Sequence, residues 1–121
     1  MAMVWQEIGI IGAKLSQGSF EATHNTTYYA EVECGFKPKY IAIQSRNYSS
    51  VIACSIYDES LSTSTVFYAY QNGAENIVDE THSMSGSSNR NGCIVGVTDT
   101  GFKVGNMDET SEKTMYYFAV G

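Results

Sequence analysis

Apolar and polar residues alternate with a period of two along most of the chain, and no sustained helical period occurs. In "YYAEVEC", residues 28–34, Tyr28, Ala30, Val32 and Cys34 share one face while Tyr29, Glu31 and Glu33 share the other. That pattern predicts a strand with one dry side and one wet side. In "KYIAIQS", Ile41 and Ile43 oppose Tyr40, Ala42 and Gln44. "VIACSIYD" groups Ile52, Cys54 and Ile56, and "STVFYAYQ" sets Val66, Tyr68 and Tyr70 against Phe67 and Ala69. "NGCIVGVTD", "GFKVG" and the closing "KTMYYFAVG" read as three more strands, and "QEIGIIGAKL" and "GSFEATH" as two near the start. About eight or nine short strands at even spacing predict an all-β, antiparallel β-sandwich of jelly-roll or Greek-key type.

The separators are turn chemistry: "SQG", "HNTT", "SRNYSS", "YDESLST", "QNG", "TDTG" and "VGNMDETSEK". Asn72-Gly73 is the strongest local hairpin signal. The only proline, Pro38, has no N–H for a sheet ladder and so marks the start of the strand over 39–45. Gly35 permits the bend before it, and Phe36 folds back as a plug over the end of the core. A second Gly-Phe pair, Gly101-Phe102, predicts another strand begun the same way. With 121 residues and no dividing linker, the chain reads as a single domain over 1–121, with 1–26 as N-terminal extension strands and 27–121 as the main body.

Composition narrows the partners. A net charge of −6, with seven scattered basic residues, argues against a nucleic-acid partner, which requires clustered Lys and Arg. No run approaches the ~20 apolar residues of a membrane helix, so membrane insertion is not expected. The chain opens without a charged and apolar leader, which points to synthesis in a reducing cytosol. Its three cysteines, Cys34, Cys54 and Cys93, form no CxxC and cannot all pair within the chain; they read as small buried apolar side chains.

Little in the chain declares a reaction. Asp99-Thr100-Gly101 matches the active-site triplet of aspartic proteases, in which two carboxylates share a proton. Phe102 stands where that family has a small residue, and the same triplet serves as a β-turn between two strands. His24 and His82 fall in predicted loops, without a partner nucleophile or an H-x-H pair. The acids Asp108, Glu109 and Glu112 lack the EF-hand spacing, and Glu75, Asp79 and Glu80 read as a second solvated acidic patch. What remains is aromatic and amide chemistry in or beside predicted loops: Arg46, Asn47, Tyr48, Tyr57, Arg90 and Asn91. Tyrosine offers an apolar face and a hydroxyl to a sugar ring, and Asn and Arg donate to sugar hydroxyls. These six are the candidate ligand-binding residues; no catalytic or metal site is expected.

The order "CGFKPKYIAIQS", "GFKVG" and "YYFAVG" resembles small all-β modules of bacteriophage tail fibres and receptor-binding proteins, and is similar to the H-type lectin domain, over roughly residues 27–121. That resemblance implies a non-catalytic tail module acting without cofactor, made in the bacterial cytoplasm and carried on the virion. It also implies contact with host-surface carbohydrate or other tail proteins, and a homotrimer. A secreted H-type-lectin-like protein and, further off, a dimeric aspartic protease are the alternative readings.

Overall fold

The computed structural model describes residues 5–7, 14–22, 29–46, 52–72, 76–84, 93–105 and 113–121. Within them the protein is all-β, with ten strands. They are β1 (Trp5–Glu7), β2 (Lys14–Ala22), β3 (Tyr29–Glu33), β4 (Tyr40–Arg46), β5 (Ile52–Asp58), β6 (Thr65–Asn72), β7 (Asn76–Ser83), β8 (Ile94–Val97), β9 (Gly101–Gly105) and β10 (Lys113–Val120). A seven-stranded sheet runs β1-β2-β10-β4-β5-β6-β7, and a three-stranded sheet runs β3-β9-β8. Every pairing is antiparallel. The chain meanders through β4 to β7, crosses to the small sheet for β8 and β9, and returns as β10 between β2 and β4.

Two layers close over one core because each strand turns alternate residues inward. Val32, Ile94, Phe102 and Val104 from the small sheet meet Phe20, Ile41, Ile43, Val66, Met115 and Tyr117 from the large one. Each such side chain, taken fully out of water, contributes about 1.5–3 kcal/mol. The layers are also joined by a polar bond: the Ile94 amide donates to the buried Ser55 hydroxyl at 3.1 Å. A second buried pair, Ser16 Oγ and Tyr117 OH at 2.9 Å, ties β2 to β10.

The predicted approach to β4 is found. Gly35 has φ of 87°, a left-handed conformation that costs other residues about 1–2 kcal/mol. Phe36 is buried against the core, and Pro38 is fully buried ahead of Tyr40. Gly35 itself is exposed, so Gly35→Ala adds a methyl group to open surface and strains only the backbone. We expect it to cost about 1–2 kcal/mol, read as a lower urea midpoint at unchanged m value. Gly101 opens β9 for a different reason: a Cβ there would collide with the Val32 carbonyl of the neighbouring strand.

Three expectations are corrected. "SQG" is no turn: β2 runs through it, because Ser16, Gly18 and Phe20 face Ala119, Tyr117 and Met115 in continuous register. The Tyr117 ring lies 3.5 Å from where a Gly18 Cβ would be, covering the gap that glycine leaves in a strand. β2 is therefore an interior strand, paired on both sides, and residues 14–22 belong to the body of the sandwich. Finally, the segment around Asp79, Glu80 and His82 is no loop but the edge strand β7, with His82 opposite Val66 and Glu80 opposite Tyr68. Acidic residues on an edge strand discourage further pairing. β6 and β7 pair antiparallel up to Asn72 opposite Asn76, and Gly73 of the expected Asn72-Gly73 turn lies outside the described residues.

Candidate functional site

Among the described residues a polar hollow lies in the cleft between the layers, where the edge strand β8 faces the β5–β6 turn. It measures about 390 Å³, and its polar lining comes from Lys37, Tyr57, Glu59, Thr63 and Ser64. Val95, Gly96, Val97 and Met84 supply its apolar side. The turn that carries Glu59, Thr63 and Ser64 is fixed by its own side chains. Asp58 Oδ1 accepts from the Ser60 amide at 3.0 Å and from the Ser60 hydroxyl at 2.6 Å. The Ser62 hydroxyl accepts from the Ser64 and Thr65 amides, both at 3.2 Å. The Glu59 amide is anchored on the Lys39 carbonyl at 2.9 Å, and the Met84 amide on Ser64 at 2.8 Å.

The opposite wall depends on a β-bulge. Pairing with β9 slips between Ile94 and Gly96, leaving Val95 as the extra residue. Such an insertion re-aims a side chain, and here both Ile94 and Val95 are buried. Tyr57 forms the inner end of the cleft. Burial, then the charges of Glu59 and Asp58, push its phenol above the ordinary tyrosine value. The hydroxyl therefore stays protonated at neutral pH and can donate as well as accept. The cleft thus offers a carboxylate, an ammonium and three hydroxyls beside an aliphatic wall.

Of the six sequence candidates, two, Arg46 and Tyr57, lie among the described residues, and they stand apart. Asn47, Tyr48, Arg90 and Asn91 lie outside the described residues, as does His24. Arg46 ends β4 opposite Thr114, whereas Tyr57 pairs with Ile41 near the start of the same strand. Five residues of extended chain separate those positions, roughly 17 Å. Tyr57, expected at a loop, is a β5 residue only 3% exposed; the residues of its strand that face outward are Cys54 and Ile56. Asp99 sits exposed in the turn closed by the Thr98 amide on the Gly101 carbonyl at 2.9 Å. Lys37, Glu59, Thr63 and Ser64 carry no sequence motif; the turn-rich "YDESLST" beside a strand end signals Glu59 and Thr63 alone.

All three cysteines are free; Cys34 and Cys93 are buried as expected, and Cys54 is half-buried on the outer side of the large sheet. Among the described residues, no three His, Cys, Asp or Glu side chains gather as metal ligands, and no helix is long and apolar enough to cross a membrane. Comparison with protein-family models, with characterised proteins and with solved structures finds no match.

Proposed function

We propose that this chain is a non-catalytic recognition module whose interlayer cleft takes a sugar ring, in the manner of a phage tail receptor-binding domain. The observation that carries this reading is the lining of the cleft: hydroxyls, one carboxylate and one ammonium face an aliphatic wall. A pyranose presents hydroxyls on its rim and C–H groups on its face, so it matches both kinds of lining at once. The acidic balance of the chain favours a neutral or amino sugar over an acidic one. A secreted lectin would use the same chemistry, so the site reading is common to both settings.

A glycan array followed by calorimetric titration of the hits tests it. Glu59→Gln is expected to weaken binding about 10-fold or more, since a hydrogen bond to a charged group contributes about 1.5–3 kcal/mol, and Thr63→Ala about 2- to 10-fold, the range for a neutral one. Absence of any glycan binding at millimolar concentration would remove the recognition reading. Binding that survives both changes but is lost in Arg46→Ala would move the site to the other end of the sandwich.

A further inference from the structure

The outward face of the large sheet is apolar at its centre. Phe118, Ala42, Ile56 and Phe67 form one row across β10, β4, β5 and β6, each paired directly with the next. Tyr116, Gln44, Cys54 and Ala69 form the parallel row. Phe67, Tyr116 and Phe118 are 43%, 45% and 40% exposed, which is unusual for three aromatic side chains sharing one surface. The short Ala42 and Gln44 leave a trough of about 310 Å³, walled by β10 on one side and β5 on the other. None of these eight register positions carries a charge, nor do Gln17 and Ser19 beside them on β2 or Thr81 on β7; Asp79, opposite Ala69 on the β7 edge, is the acid that borders these rows.

We infer that this face is a docking surface for a second copy of the chain, packed sheet on sheet about a two-fold axis. Two molecules of net charge −6 repel wherever their acids meet, so copies approach best through a surface whose centre is free of charge. The rows are also self-complementary. An axis running along the strands between β4 and β5 sets Phe118 over the partner copy's Phe67 and Ala42 over the partner copy's Ile56. It likewise sets Tyr116 over Ala69 and Gln44 over Cys54, so in two of the four pairs a large side chain meets a small one. About that axis six strands overlap, from β2 to β7 in sheet order; about 4.8 Å apart and about 20 Å long, they present a face on the order of 600 Å². That is comparable to the roughly 800 Å² each partner gives a standard interface. The occupant must therefore be as broad and flat as the sheet itself, a shape that another copy supplies and an extended peptide does not.

This inference stands apart from the sugar site, which opens at the other side of the large sheet. It also differs from the trimer that the tail-fibre resemblance implies, because a flat face with two-fold complementary rows closes on one partner only.

Sedimentation equilibrium of the whole chain at micromolar concentration tests it, with an expected mass twice the 13.3 kDa of one chain. Phe118→Glu and, separately, Phe67→Glu are expected to weaken that association at least 10-fold, since each brings a charge against the partner's aromatic ring. Their circular dichroism should stay that of the parent, because both positions are exposed in the single chain. A mass of one chain or of three overturns the inference. So does a dimer that persists in both glutamate variants, which would place the contact elsewhere. Either result leaves the glycan titration free to stand or fall alone.

Discussion

Phe102→Ala is expected to lower the stability of the fold by about 3–5 kcal/mol, the range for truncating a fully buried aromatic side chain. Phe102 is wholly buried at the second position of β9. It pairs with Val32 on one side and Val97 on the other, so it is the centre of the three-stranded sheet. Its ring meets Tyr117 of the large sheet edge-on, with centroids 5.6 Å apart and planes at 66°. The thin layer has few other large side chains with which to hold the thick one, so the cavity cannot close by repacking within the small sheet. A domain of this size has only about 5–15 kcal/mol in total. The measurement is a urea titration followed by tryptophan fluorescence or circular dichroism, with the parent's m value retained. Phe118→Ala, on the outward face, should change the stability of the single chain by about 0.5 kcal/mol or less. A Phe102 variant as stable as that one would mean that the small sheet does not cover the core as described.

The contrast between those two phenylalanines marks where the sequence is readable. Alternation locates β3 because its apolar face is buried and its other face, with Glu31 and Glu33, is wet; β4, β6 and β10 keep the period of two although their outward faces carry Ala42, Phe67, Tyr116 and Phe118. It does not say which face is which when both are apolar. In β5, "IACSIYD" groups Ile52, Cys54 and Ile56, but the buried side is that of Ser55 and Tyr57. Ser55 is tolerated inside because the Ile94 amide needs an acceptor there, a demand that arises only when the layers close. "SQG" carries turn residues yet lies in mid-strand, because Tyr117, about a hundred positions away, covers Gly18 and bonds Ser16. β7 escapes because an acidic edge strand has no strong apolar face to betray it. The cleft was legible only in fragments. Tyr57 was a candidate for its chemistry, but Lys37, Glu59 and Thr63 converge through the meander and the bulge at Val95, and no local pattern encodes that convergence.

The same buried cluster that covers Gly18 predicts how the protein responds to alkali. Cys34 is fully buried, and its thiol is pushed up to about 11 from an ordinary 9.0, chiefly by burial, with the Ser16 hydroxyl opposing the shift and the Glu33 charge adding to it. In the unfolded chain the thiol ionises near its ordinary value, while the folded chain holds the proton. Between those two values the native state therefore binds more protons than the unfolded one, so stability falls as pH rises. Below pH 9 the contribution is fully present; it is lost progressively up to about pH 11. At about 1.4 kcal/mol per pH unit, the loss over that window is about 3 kcal/mol. Tyr117, raised by burial and bonded to the same Ser16, adds to the fall in the upper part of the window, and Tyr57 acts in the same direction. Between pH 9 and 10 the phenols, with an ordinary value of 10.0, only begin to ionise in the unfolded chain, so Cys34 is the largest single contributor there. Cys34→Ala should lower stability at pH 7 through its lost packing, yet flatten the decline between pH 9 and 10. Urea midpoints measured at half-unit steps from pH 7 to 11 distinguish the two effects. A Cys34→Ala variant that declines as steeply as the parent in that first unit would show that the thiol keeps access to water in the folded protein.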